Sequence, residues 1–227
     1  MSNIDPKKHW PFYQAAKTPA TGAWGEKRRL AAAMRRVIDR LVATDAPIDE
    51  LRRAAEELER FATTLDGLPI KSWLEGFAES ATAGDPNALF DMSPLMGLSN
   101  PLSPPIDFNL EGDRVIGRVT FGRAYEGPPG HVHGGLVAAS FDEVLGFVQC
   151  MTGQPGMTGT LTVRYRSPTP LHKELRFEAW VDRIEGRKTT ALGTLTCGET
   201  LCAEGEGLFI ALDRERFKSL LGQEVDN

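Results

Sequence analysis

Residues 127–142 read Gly-Pro-Pro-Gly-His-Val-His-Gly-Gly-Leu-Val-Ala-Ala-Ser-Phe-Asp. A turn rich in proline and glycine comes first, two glycines then open an apolar helix, and one carboxylate follows two turns later. The first N–H groups of a helix have no intrahelical acceptor, so they form a ready-made site for an oxyanion or a polarised carbonyl. A carboxylate in an otherwise apolar helix is costly to bury and is a candidate functional residue. Together these two features indicate acyl chemistry.

Short runs with the composition of β-strands lie on both sides of the apolar helix, which we place at residues 136–150. The turn signals between these runs are Glu-Gly-Asp before the helix, and Glu185-Gly186 and Gly198-Glu199 after it. The predicted strands are residues 106–110, 114–121, 158–166, 174–184, 188–197 and 201–212. An antiparallel sheet wrapped around one long central helix satisfies this order. The sequence therefore predicts an α+β domain over residues 106–213, followed by a tail over residues 214–227.

The N-terminal region, residues 1–105, has a different organisation. Residues 1–25 combine aromatic residues with proline and glycine and indicate an irregular arm. Residues 26–66 predict a helical hairpin, because each half carries a single apolar stripe at helical spacing. The stripes are Leu30, Met34, Val37 and Leu41 in the first helix, and Leu51, Ala55, Leu58, Ala62 and Leu65 in the second.

The second helix of this hairpin begins at Asp45-Ala-Pro47, with the proline near the first helical position, and ends at Gly67. Residues 67–105 predict a long connection that contains a short helix at 73–79. The two apolar stripes must pack on each other, on the main domain or on a second subunit. The pattern leaves all three arrangements open.

Composition narrows the class of protein. A net charge of −5 argues against a general nucleic-acid binder. No apolar run approaches the ~18–20 residues of a membrane span, and the first residues lack the apolar core of a signal peptide. Three cysteines without zinc-site spacing indicate packed, reduced thiols. We therefore expect a cytoplasmic protein with no membrane span.

Acyl transfer to water needs a group that polarises the carbonyl oxygen, and a base or nucleophile that delivers water. The backbone N–H of Gly135 suits the first task and Asp142 the second. Seven residues apart, they lie on nearly the same helix face but ~10 Å apart along the axis. One acyl carbon cannot contact both groups of the same helix, so a shared substrate requires two chains. The small residues Ala138, Ala139 and Gly146 on that face would let a partner helix or the substrate approach.

Other polar residues near the segment each have two interpretations. His133 is either a catalytic base or, more often for a histidine just before a helix, a local hydrogen-bonding group that fixes the turn. His131 and His133 together suggest a metal pair, but no third ligand lies nearby, so we expect no metal or other cofactor. Thr158 opens a strand, where threonine is common for its β-propensity alone.

The combination Gly-x-x-His-Gly-Gly, with Asp seven residues after the last glycine, resembles the PaaI-like group of hotdog-fold thioesterases. The closer resemblance is to acyl-coenzyme A thioesterases of the thioesterase-superfamily-member type. The matching pieces are Glu126-Gly-Pro-Pro-Gly130, His133-Gly-Gly135, Asp142, Thr158, Tyr165-Arg-Ser-Pro-Thr-Pro-Leu171 and Glu185-Gly-Arg-Lys188. The resemblance covers roughly residues 106–212 and implies a hotdog fold. It also implies a homodimer or dimer of dimers that hydrolyses acyl-CoA without metal at a subunit interface.

The motif match implies a role for three residues. Asp142 takes the position of the catalytic carboxylate, Gly135 supplies the N–H that faces the thioester carbonyl, and Thr158 orients the water or the carboxylate. His133 and Gly134 fall in the part of the motif that contacts substrate. Many PaaI-like members carry an asparagine six residues before the motif histidine, where this chain has Gly127. A second polarising contact is therefore absent or comes from elsewhere.

Basic side chains follow the later strands: Arg164, Arg166, Arg187 and Lys188. They are either a solvated sheet edge or, for the Arg187-Lys188 hairpin in particular, a clamp for the phosphates of coenzyme A. Two further functions fit the same fold, because a fold does not fix a function. One is a non-catalytic acyl-CoA binding or sensing module. The other is a hydratase or dehydratase, which would need a histidine near the acid, and none lies between His133 and His172.

Overall fold

The computed structural model describes residues 21–70, 91–154 and 156–211. In these residues the regular structure consists of three α-helices, six β-strands and one short 3-10 helix at Arg123–Tyr125. The helices are α1 (Gly22–Leu41), α2 (Ile48–Asp66) and α3 (Gly134–Cys150). The strands are β1 (Asp107–Glu111), β2 (Arg114–Thr120), β3 (Gly156–Tyr165), β4 (Glu174–Glu185), β5 (Lys188–Cys197) and β6 (Thr200–Ala211).

The six strands form one sheet in the order β1-β2-β4-β5-β6-β3. Every neighbouring pair is antiparallel. The sheet packs around α3, which contacts β2 to β6. This is the hotdog architecture predicted from the order of the elements, and each predicted strand lies within two residues of its observed bounds.

The core lies between α3 and the concave face of the sheet. Phe141 on α3 meets Phe177 on β4 edge to face, with ring centroids 5.1 Å apart, and both side chains are fully buried. Gly205 on β6 makes room for this pair, because a Cβ there would lie 2.4 Å from Phe141 Cδ1. Since α3 buries eight of its residues in this way, its position relative to the sheet is fixed by packing within one chain.

The strand order leaves β3 at one edge of the sheet, paired only with β6. Most of its residues are exposed, including Met157 and Tyr165 near its two ends. An edge strand presents unpaired backbone N–H and C=O groups along its free side. Strand β3 also contacts α3, so this open edge lies beside the helix.

The two predicted N-terminal helices are also present, with one correction to the start of the first. Helix α1 begins at Gly22, so Trp24 belongs to the helix and not to an irregular arm ending at residue 25. The sequence missed this first turn because Gly-Ala-Trp-Gly carries no apolar periodicity. Helix α2 begins at Ile48, directly after its N-cap Pro47 and close to the predicted start, and it ends before Gly67 as predicted. None of the residues in these ranges forms a helix long and apolar enough to cross a membrane.

Polar contacts attach α1 to the rest of the chain. The guanidinium of Arg28 donates to both carboxylate oxygens of Asp91, at 2.5 and 2.8 Å, and this ion pair is nearly buried. Arg35 donates to the carbonyl of Asn100 at 2.9 Å. Near the helix end, Asp39 accepts the backbone N–H of Ala124 at 3.2 Å. The predicted helix at 73–79, residues 1–20 of the arm and the tail at 214–227 lie outside the described residues.

Candidate active site

The N-terminus of α3 is held by its own cap and by β3. The Nδ1 atom of His133 accepts the backbone N–H of Gly135 at 3.1 Å, which makes His133 the N-cap of the helix. The hydroxyl of Tyr165 donates to the carbonyl of Gly134 at 2.7 Å. His133 therefore has the local capping role that the sequence left as one alternative. In the single chain its imidazole thus accepts the Gly135 N–H, which is the group that was predicted to face the substrate.

The turn before the cap explains the glycine found in place of the family's asparagine. The N–H of Gly127 donates to the carbonyl of His131 at 2.9 Å, which brings the backbone of Gly127 against His133. A Cβ at position 127 would lie 2.7 Å from the Cα of His133. No side chain fits there without moving the cap. A second polarising group, if one acts, must come from another position.

Asp142 lies two turns into α3 on its open side. Its Oδ1 atom accepts a hydrogen bond from the Thr158 hydroxyl at 2.8 Å, so the structure brings together two residues that the sequence had singled out separately. The Asp142 side chain is exposed within one chain. The carboxylate therefore avoids the cost of burial in the single chain, because its face of the helix is not covered by the sheet.

The neighbouring carboxylate, Glu143, is the more buried of the two. It accepts a hydrogen bond from the Ser93 hydroxyl at 2.8 Å, and Ser93 Oγ in turn accepts the N–H groups of Leu95 and Met96. Burial raises the pKa of Glu143, the bond from Ser93 lowers it in part, and the charge of Asp142 raises it. Adjacent positions on one helix thus hold one carboxylate open to solvent and one tied to the segment before β1.

Gly135 and Asp142 remain far apart within the chain. Helix α3 is continuous from residue 134 to residue 150, so the seven-residue separation corresponds to ~10 Å along the axis. Tyr165, at the end of β3, contacts the helix N-terminus, whereas Thr158, near the start of β3, contacts Asp142. The two predicted halves of the site therefore lie along the two ends of the same edge strand.

A cleft of about 440 Å³ opens beside the helix N-terminus. Val132, Val137 and Pro168 give it an apolar lining, and Gly134 and Tyr165 also border it. An apolar cleft with a few polar groups at one end is typical of a small-molecule site. The carbonyl-binding end of the predicted site thus has a space for an apolar group next to it.

The predicted basic contacts differ in their availability. Arg187 donates through Nε and Nη2 to the carbonyl of Ala211, at 3.0 and 2.9 Å, and so holds the end of β6. Arg164 lies 3.8 Å from Glu206, and Arg166 pairs with Glu204 at 2.6 Å. Within the described ranges, Lys188 is exposed and forms neither an ion pair nor a side-chain hydrogen bond.

The two histidines of the segment do not converge. The ring of His131 bonds to the carbonyl of Pro129 at 2.9 Å, while His133 caps the helix. In the part of the chain that the structure describes, no three His, Cys, Asp or Glu side chains lie close enough to hold a metal ion. The three cysteines are free, and burial raises the pKa of the Cys150 thiol to about 11.

Sequence reasoning missed two residues of this site. Tyr165 falls inside a matching motif, and that motif was the signal that could have singled it out. Ser93 carries no signal, because it lies fifty residues from Glu143 in a segment without periodicity. A local sequence pattern does not predict contacts between residues so far apart in the chain.

Comparison with known proteins defines the class. The family model described as the thioesterase superfamily matches residues 129–205. A crystal structure of a thioesterase superfamily protein is 35% identical with a TM-score of 0.71, and the match covers 85% of this chain and 97% of that one. The chain belongs to the thioesterase superfamily.

Two curated relatives bear more specific names. Acyl-coenzyme A thioesterase THEM4 from Bos taurus is 37% identical over 114 residues, which are 48% of this chain and 45% of that protein. THEM4 from Mus musculus is 32% identical over 111 residues, 48% of each chain. The matched part is thus somewhat less than half the length of these relatives. The match to the crystal structure is more extensive, since it covers 85% of this chain. Residues 106–211 make up fewer than half of the chain. The match therefore includes part of the N-terminal region as well.

Proposed function

We propose that the protein hydrolyses acyl-CoA thioesters to the free acid and coenzyme A. The observation that carries the proposal is the hydrogen bond of 2.8 Å from Thr158 to the solvent-open carboxylate of Asp142. Family membership and the THEM4 relatives support the reaction class. The catalytic unit is residues 106–213, with residues 1–105 and the tail at 214–227 as appended parts. Free cysteines are typical of the reducing cytoplasm, which we propose as the location.

The site forms between two copies of the chain that pair along β3. A two-fold axis near the middle of β3 places the Tyr165 end of one strand beside the Thr158 end of the other. Tyr165 brings the N-terminus of its own α3 with it, because its hydroxyl is bonded to Gly134. The helix N-terminus of the partner subunit then approaches Asp142. The open edge of β3 and the exposure of Asp142 support this arrangement.

The two oxygens of Asp142 have different tasks. Thr158 donates to Oδ1 and fixes the carboxylate, which leaves Oδ2 to accept a proton from water. The water oxygen attacks the thioester carbon, and the negative charge moves to the carbonyl oxygen. Backbone N–H groups at the helix N-terminus of the partner subunit stabilise this oxyanion. The carbon–sulfur bond then breaks, and the coenzyme A thiolate leaves and takes up a proton.

His133 sets a condition for substrate binding. In the single chain its imidazole accepts the Gly135 N–H, so the thioester oxygen must replace Nδ1 as the acceptor. The ring is exposed, and its Nδ1 atom lies 3.1 Å from the Gly135 nitrogen, an ordinary hydrogen-bond distance. An N-cap of this kind is worth about 0.5–2 kcal/mol, which the new hydrogen bond from Gly135 to the substrate offsets. The N–H of Gly134, which has no acceptor among the described residues, is the second available donor.

The test is a hydrolysis screen over acyl-CoAs of different chain length, with aromatic acyl groups included, and release of free thiol as the readout. We expect turnover with at least one class and loss of that turnover in Thr158→Val, which keeps the shape but removes the hydroxyl. Tight binding of acyl-CoA without thiol release would identify a binding module instead. Turnover unaffected in Thr158→Val would contradict the assigned role of the pair.

A further inference from the structure

The hairpin of α1 and α2 exposes apolar side chains that amphipathic helices normally bury. A cleft of about 1080 Å³ lies between the two helices, and residues of the segments 101–105 and 120–125 also border it. Val37 and Leu41 line it from α1, and Leu51, Ala54 and Leu58 line it from α2. Four of these five residues are large and apolar, and each of those four is more than a third exposed. Nothing in the described ranges covers this surface.

The spacing of the stripes shows what kind of partner they suit. Apolar residues alternate at intervals of four and three in both helices, from Leu30 to Leu41 and from Leu51 to Leu65. This is the a/d spacing of helices that bury their stripes against other helices. Yet α2 has no buried residue, and in α1 only Ala31 is buried. Among the described residues, the two stripes are therefore packed neither on each other nor on the main domain.

Charge distinguishes the two helices. Helix α1 carries six basic and two acidic side chains, a formal charge of +4, whereas α2 carries three basic and six acidic ones, a charge of −3. Arg36 and Arg40 border the cleft on α1, and Glu57 and Glu59 flank the stripe on α2. Among the described residues, none of these four forms an ion pair or a side-chain hydrogen bond. Both helices therefore carry unpaired charge of opposite sign beside an exposed apolar stripe.

We propose that the occupant of this surface is the same surface of a second copy, with α1 of one copy packed against α2 of the other. A two-fold contact of this kind brings the basic helix against the acidic one twice. A surface that binds its own copy must carry both partners of the contact, here a basic helix and an acidic helix with apolar stripes of the same spacing. An unrelated partner would not require α1 and α2 to have opposite charge. The contact is separate from the β3 edge, so the two together give a dimer of dimers.

The test uses two charge-reversed variants, Arg36→Glu/Arg40→Glu and Glu57→Arg/Glu59→Arg, whose mass is measured by light scattering after gel filtration. Each variant alone places like charges in both α1–α2 contacts of the two-fold interface, so this interface should not form. We therefore expect a particle with half as many chains as the wild-type particle. An equal mixture pairs a reversed α1 with a reversed α2, and a native α1 with a native α2, and should recover the wild-type number. A contact within one chain cannot be restored by mixing. Wild-type mass in either variant, or no recovery in the mixture, would overturn the proposal.

The apolar part of the contact has a matched control. Leu51→Glu/Leu58→Glu adds two negative charges to the stripe, and Arg53→Gln/Arg60→Gln makes the same change in net charge on the opposite face. We expect the first pair to halve the particle and the second to leave it unchanged. Thiol release per chain should remain near the wild-type value in both, because the hairpin contributes no residue to the catalytic site. Equal masses in the two variants would contradict the proposed surface.

Discussion

Helices α3 and α2 both carry apolar residues in the sequence, yet these residues are buried in α3 and exposed in α2. Helix α3 has eight buried residues against the sheet, whereas α2 has none. The difference lies in where the complementary surface is found, since the sheet that covers α3 belongs to the same chain. Within residues 21–70, 91–154 and 156–211, no such surface covers the open side of α3, the edge of β3 or the hairpin stripes. One part of the molecule is complete by itself, and the remaining surfaces, we propose, are completed by a second copy.

The largest effect should come from Asp142→Asn, on the open side of α3. The change removes charge and basicity but keeps volume, and general acid–base help is typically worth ~10²–10⁴ in rate. We expect kcat to fall by about that factor while the melting temperature stays near the wild-type value, because the side chain is exposed and contributes little to the core. Thiol release and a thermal melt measure the two quantities.

The neighbouring Glu143→Gln is the matched control, since it makes the same chemical change one residue away. The amide oxygen can still accept the Ser93 hydroxyl. We expect kcat within a few-fold of wild type. An equal loss in both variants would mean that helix charge in general, and not Asp142 in particular, supports turnover.

Substitution on the buried side of α3 should do the reverse. Leu145 is fully buried, and Leu145→Ala should lower the free energy of unfolding by about 2–5 kcal/mol. Leu65 on α2 is 41% exposed within one chain, and Leu65→Ala should cost less than about 1 kcal/mol when it is made in the Arg36→Glu/Arg40→Glu variant, in which the proposed contact with a second copy is broken. Denaturant unfolding of the two variants measures the difference. Similar losses in that variant would show that α2 is buried as deeply as α3 within one chain.

The same contrast exists within the hairpin between β4 and β5. Arg187 is engaged by the carbonyl of Ala211, whereas Lys188 is open. We expect Arg187→Ala to lower the melting temperature, and Lys188→Ala to raise the KM for acyl-CoA several-fold without changing stability. The loss in Lys188→Ala should shrink as salt rises, because exposed charges are screened over ~8 Å at physiological ionic strength. It should vanish for an acyl-pantetheine substrate, which lacks the nucleotide.

The smallest effect concerns the pH dependence of stability. Burial raises the folded-state pKa of Glu143 above its usual value of 4.5, so the folded chain binds this proton more tightly than the unfolded chain does. Ionisation of Glu143 therefore costs stability. That cost is absent below pH 4.5 and complete above the raised pKa. Glu143→Gln cannot ionise, so its melting temperature relative to wild type should increase as pH rises through this window. A difference that is constant with pH would contradict the assignment.

How much of this could be predicted from the sequence depends on how local each feature is. The strand runs, the start of α2 after Pro47 and the end of α3 follow from periodicity and turn residues, and the structure confirms them. The pairing of Thr158 with Asp142 was suggested by the resemblance, residue by residue, and the geometry agrees with it.

Other features depend on contacts between residues far apart in the chain. The bond between Ser93 and Glu143 and the ion pair between Arg28 and Asp91 each join residues 50 or more positions apart. The capture of the Gly135 N–H by His133 is local, but it depends on a rotamer that the sequence does not specify. The exposure of Asp142 could not be predicted either, because it depends on which face of α3 the sheet leaves uncovered.

The most direct test of the shared site is complementation between Asp142→Asn and Gly135→Val. Each variant alone should be inactive, because the first lacks the carboxylate and the second places a side chain over the helix N-terminus. After subunit exchange, verified by native mass spectrometry of isotope-labelled chains, half of the dimers are mixed and each contains one intact site. We therefore predict recovery of about a quarter of the wild-type activity. No recovery in a verified mixture would place both groups of the site within one chain and contradict the account.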